Sequence, residues 1–158
     1  MSRTSFGLLR SLNGAPSQVR NYSGYSHGFP AKIAESYFPS DRLTDRFIRR
    51  LIDEHVLKWK EILESFEFFE QTRKHLPRTT LADVCCGHGL VGILYALLVE
   101  EVESVVLVDT EIPPNLEPTL EIARSLGPWV DGKVKVLNVE VEEVASHVPP
   151  ATAIDLMY

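Results

Sequence analysis

The chain has 158 residues, 44% of them hydrophobic, and a formal net charge of -6, which suits one globular domain with enough apolar material for a core. The acidic balance and the lack of clustered Lys and Arg give no support for nucleic-acid binding, which needs basic side chains against phosphates. No apolar run approaches the roughly 20 residues of a membrane-spanning helix, and the only cysteines, Cys85 and Cys86, are chain neighbours unsuited to stapling a secreted fold.

Residues 1–38 read as a targeting or disordered tail. Arg3, Arg10, Arg20 and Lys32 are scattered among Ser and Gly, with no acid before Glu35, a composition typical of organelle transit peptides. Arg20-Asn21-Tyr22-Ser23 is similar to a mitochondrial processing pattern. The expected address is therefore mitochondrial, with plastid or cytoplasm as alternatives.

Residues 39–77 read as an N-terminal helical segment. Ser40 and Asp41 offer an N-cap, and Leu43, Phe47, Leu51, Ile52, Val56, Trp59, Ile62, Leu63 and Phe66 recur at threes and fours. The run is expected to break near Leu57 and to stop at Pro77. Phe66, Phe68 and Phe69 are expected to pack the segment against a sheet.

From residue 78 to 158 apolar runs alternate with helical patterns. Strands are expected at 80–85, 104–109, 133–138 and 153–158. Helices are expected at 90–100, with Val91, Leu94, Leu97 and Leu98 inward, and at 117–126, where Gly127-Pro128 gives the stop; 141–147 reads as a short helix at best. This alternation predicts an α/β fold, a doubly wound parallel sheet of which only the first four strands lie in this chain, with the order reversing between the first and fourth.

The chemistry concentrates at Asp83-Val-Cys-Cys-Gly87-His-Gly89-Leu-Val-Gly92, between the first strand and the helix after it. Glycines at this spacing let the backbone bend sharply and approach a nucleotide cofactor beside a helix N-terminus. The same letters satisfy a dehydrogenase fingerprint, and Asp109 lies near the distance of a ribose-binding acid. Asp83 separates the readings, because a carboxylate beside the turn repels a diphosphate and attracts an ammonium group.

On these residues the sequence resembles the class I S-adenosylmethionine-dependent methyltransferases, whose domain is Rossmann-like. The resemblance runs from about Leu43 to Tyr158 and is carried by Leu81-Ala-Asp83-Val-Cys-Cys-Gly87-His-Gly89 and Val106-Leu-Val-Asp109. It implies S-adenosyl-L-methionine as cofactor, with Cys85, Gly87, His88 and Gly89 against its methionine and ribose and Asp83 near the ammonium group. Asp109, followed by Thr110, takes the ribose hydroxyls. Glu140 takes the adenine amino group, with Asn138 and Glu142 as competitors. The chain departs from the family at Cys85, where glycine is common.

The expected activity is methyl transfer to an unidentified acceptor, or the cofactor-binding half of such an enzyme. The alternatives are an NAD-dependent oxidoreductase and a non-catalytic, truncated Rossmann-like module whose exposed fourth strand pairs with a partner or a second copy. No catalytic residue is assigned and no metal is expected, because Cys85 and Cys86 lack CxxC or HxxxH companions and read as small buried residues beside a tight turn. His27, His55, His75 and His147 show no common spacing, Glu100, Glu101 and Glu103 read as a solvated face, and Asp155 as structural.

Overall fold

The computed structural model describes residues 31–75, 79–147 and 154–157. The Arg-rich part of the tail, the Pro77 stop and Tyr158 lie outside the described residues. Within them the order is α1 (Ala31–Tyr37), α2 (Leu43–Asp53), α3 (Trp59–Thr72), β1 (Thr80–Val84), α4 (Leu90–Leu98), β2 (Ser104–Asp109), α5 (Leu116–Leu126), α6 (Val130–Lys133), β3 (Val134–Asn138), a 3-10 turn (Val141–Ser146) and β4 (Ile154–Met157).

The protein is α/β with a parallel sheet. β2 lies between β1 and β3, with Asp83 opposite Leu107 and Asp109 opposite Asn138. The β4 backbone runs parallel along the other side of β1, with Thr80 opposite Ile154, so the order is β3-β2-β1-β4. Side chains alternate across a strand. Leu81, Val105 and Leu107 therefore enter one core with the helices, while Ala82, Val84, Val106 and Val108 join Leu137 and Val144 of the 3-10 turn on the opposite face.

At the centre of the first core, α4 is buried along Leu90, Gly92, Ile93, Leu94, Tyr95, Ala96 and Leu97. This differs from the expected inward stripe, because Val91 and Leu98 are only half-buried. The helix is enclosed by β1, β2, α3 and α5, so an apolar residue finds a partner on nearly every side. Gly92 marks its closest approach to the sheet. A β-carbon there would lie 2.4 Å from Leu107 Cδ2 and 3.0 Å from Val105 Cγ1.

Several boundaries shift from the sequence reading. The residues at 31–37, assigned to the tail, form a helix followed by the buried Phe38, whose ring meets Trp59 edge-on at 6.0 Å. The residue before α2 is Arg42, and Ser40 does not cap the helix. Its amide and hydroxyl instead donate to Asp45 Oδ2 at 3.0 and 2.6 Å, and Arg49 ties the segment down through the Ser40 carbonyl at 2.8 Å. The break between α2 and α3 falls across residues 54–58, where His55 takes a φ of 52°.

Of the three phenylalanines, Phe66 and Phe69 are buried and Phe68 is exposed. The Phe69 ring stands edge-on to Tyr95 at 5.0 Å, so α3 packs on helix α4 rather than directly on the sheet. Tyr95 keeps its hydroxyl satisfied against Thr72 Oγ1 at 2.7 Å. Among the described residues no helix is long and apolar enough to cross a membrane.

Replacing Gly92 with Ala forces a methyl group into the α4–β2 contact. Leu107 is fully buried and has little room to yield, so overpacking is expected to cost about 1–3 kcal/mol, read as a lower urea midpoint with an unchanged slope.

Candidate functional site

The site is built at the carboxyl ends of β1, β2 and β3. After Val84 the backbone carries positive φ at Cys85 (57°), Gly87 (51°) and Gly89 (68°). The Cys86 amide continues the ladder by donating to the Val108 carbonyl at 3.0 Å, and the Gly89 amide closes the turn on the Cys86 carbonyl at 2.8 Å. Gly89 is required twice over. Its φ favours glycine, and a β-carbon there would stand 2.9 Å from Leu107 Cδ1.

Cys85 occupies a conformation that costs a residue with a β-carbon about 1–2 kcal/mol. It is exposed, and Cys86 is half-buried, which corrects the expectation that both are buried. Cys85 is turned outward because the left-handed step leaves the sheet. Burial, reinforced by the charges of Asp83 and Asp109, pushes the Cys86 thiol up to about 12, which keeps it protonated and a poor nucleophile.

Asp83 points from β1 into the first turn of α4. Its side chain is buried, and Oδ2 accepts the Gly92 N–H at 2.8 Å. Burial pushes its carboxyl up from the ordinary 3.8 to about 6, the Gly92 bond works the other way, and the neighbouring Asp109 adds to the rise. This carboxylate has a structural task that is independent of any ligand, as a cap on a helix N-terminus.

His88 has a second capping task. Its Nδ1 accepts the Leu90 N–H at 3.2 Å, which assigns the proton of the neutral ring to Nε2. Burial lowers its pKa, with Glu61 of α3 acting in the opposite sense. With its lone pair committed to Leu90, the ring is a structural acceptor rather than a general base. Two amides of the first turn of α4, those of Leu90 and Gly92, are thus occupied by the protein's own acceptors.

Asp109 ends β2 beside the turn. Its Oδ2 accepts the Gly87 N–H at 2.9 Å, and Oδ1 accepts the Glu111 N–H at 3.2 Å. Each oxygen retains acceptor capacity. Gly87, next to it, has open space where a β-carbon would project.

The structure therefore brings Gly87 and Asp109 into direct contact, with Asp83 behind them and His88 on the helix side. Thr110 is exposed, and it contributes its carbonyl to Asn138 Nδ2 at 2.7 Å. Glu140 is exposed at the start of the 3-10 turn. Asn138, read from sequence as a competitor for the adenine, has its amide turned back onto the β2 loop. A lone Asn at a strand end gives no signal of that task. Among the described residues no group of three or more His, Cys, Asp or Glu is placed to hold a metal ion.

No family model, curated protein or solved structure matches the chain.

Two measurements test this geometry. Cys85→Gly relieves the left-handed strain at an exposed position and should raise stability by about 1 kcal/mol in urea unfolding. For Asp83, the folded value of about 6 exceeds the ordinary 3.8, so its favourable contribution is complete below pH 3.8 and is lost as pH rises through 6. Asp83→Asn removes that dependence. Its stability relative to the parent should improve by about 2 kcal/mol between pH 4 and pH 7.5, and an unchanged difference would contradict a desolvated carboxyl.

Proposed function

We propose that the chain binds S-adenosyl-L-methionine at the turn 85–89 and Asp109, and that it is a methyltransferase or the cofactor-binding half of one. The observation that carries this reading is the pairing of Asp109 with Gly87, beside a helix N-terminus two of whose first-turn amides are already taken. A dinucleotide rests its pyrophosphate on such amides. Here Asp83 and His88 occupy those of Gly92 and Leu90, and two carboxylates make the surroundings hostile to a diphosphate. A cofactor with a sulfonium and an ammonium group meets attraction instead.

The residues suit that cofactor on two further counts. The remaining acceptor capacity of Asp109 matches a vicinal diol, and the open space at Gly87 admits close approach. Thr110 and Glu140 are proposed to border the ribose and adenine. The finer fold assignment, a doubly wound Rossmann-like sheet, belongs to the same proposal and is supported by the order β3-β2-β1-β4.

When bound, the cofactor supplies an electrophilic methyl group to an acceptor nucleophile. The chain's own residues hold and orient the nucleoside and shield it from water. The acceptor is unidentified and no side chain is assigned as base. Mitochondrial import and pairing along the β4 edge remain part of the proposal.

Calorimetry provides the test. S-adenosylhomocysteine and S-adenosylmethionine should each give saturable heat and compete with one another, and Asp109→Ala should weaken both by at least tenfold, roughly the worth of a charged hydrogen bond. A change in NADH fluorescence on mixing, with no heat from either sulfur ligand, would instead establish the oxidoreductase reading.

A further inference from the structure

We infer that Asn138 is a positioning residue for Asp109, holding its carboxylate in the orientation that grips a ribose diol. Asp109 and Asn138 are the last partners of the β2–β3 ladder. Beyond them the backbone pairing ends, yet the side-chain amide of Asn138 extends it, with Nδ2 donating to the Asp109 carbonyl at 3.1 Å and to the Thr110 carbonyl at 2.7 Å. Because both neighbours are acceptors, the amide orientation is fixed by its partners. The amide stands in for the missing N–H of a continued strand.

The clamped stretch is the one that aims the carboxylate. Asp109 Oδ1 receives the Glu111 N–H in an Asx turn, which leaves Oδ2 facing the Gly87 N–H across the gap between β1 and β2. Release of the two carbonyls frees residues 109–111 to rotate, and the bonds to Glu111 and Gly87 are the ones that rotation breaks. The Gly92–Asp83 bond lies on the far side of the turn, within the buried α4 contact, and is insulated from the change.

This inference rests on the proposed function only in its ligand arm, so two readouts are used. Amide hydrogen exchange is measured in the full chain for the parent, Asn138→Ala and Asn138→Asp. Asp has nearly the same shape but faces the two carbonyls with no amide donor. Gly87 and Glu111 should exchange about fivefold faster in Asn138→Ala, matching the loss of one net hydrogen bond, and faster still in Asn138→Asp, while Gly92 stays unchanged. If Gly87 and Glu111 keep the parental rates in both variants, the positioning role is overturned.

Calorimetry with S-adenosylhomocysteine then compares Asn138→Ala, Asp109→Asn and the double variant. Action through Asp109 predicts a five- to tenfold loss for Asn138→Ala alone and little further loss in the Asp109→Asn background. Fully additive losses would mean that Asn138 meets the ligand itself, and would sink the inference. Faster exchange together with a parent that binds neither sulfur ligand would uphold the positioning of Asp109 and defeat the proposed function instead. Asn138→Ser provides the milder replacement if either variant lowers the melting temperature by more than a few degrees.

Discussion

The hydrogen bond from the Gly87 amide to the Asp109 carboxylate is the constraint on which the site depends. It joins the end of β1 to the end of β2 across 22 residues of sequence. The turn can rise away from the sheet only because this bond and the Cys86–Val108 bond hold it at two points. Around those points the chain takes three left-handed steps within residues 85–89. Fixing the turn also fixes where α4 starts, and the start of α4 determines how closely Gly92 approaches Leu107.

The electrostatics follow from the same arrangement. A helix start normally offers partial positive charge to an anion. Here that charge is neutralised internally by Asp83 and by the His88 ring, while Asp109 adds an anionic group in front. The raised values of Asp83 and Cys86 are the signature of this crowding, since each includes a contribution from nearby negative charge in addition to burial. Water around a fully exposed pair would screen most of this field. Around the buried Asp83 it is retained, so the negative field at the turn is a property of the scaffold itself.

Much of the architecture was legible because burial imposes a period on the sequence. The run Val105–Val108 is uninterrupted because both faces of β2 are covered, and 104–109 was readable to the residue. The one-turn helix α6 was hidden because Gly127-Pro128 signals a stop and nothing after it reports a restart. The break expected near Leu57 falls at residues 54–58, and only its left-handed step at His55, made without a glycine, went unsignalled. In the site, Gly87, Gly89 and Asp109 were visible as local pattern. The tasks of His88 and Asn138 were not, because one depends on ring orientation and the other on a partner 28 or 29 residues away in the chain. The exposure of Cys85 depends on the sign of φ, which the letter C does not encode.

The enclosure of α4 also governs how this protein can change over time. A helix with a wet side can absorb random polar replacements on that side without harm, whereas Leu90 to Leu97 has hardly any such side. Neutral drift is therefore directed away from the helix that follows the turn and toward the exposed residues around it, among them Cys85, Thr110 and Glu140. A helix that tolerates little change thus abuts exposed residues that tolerate more.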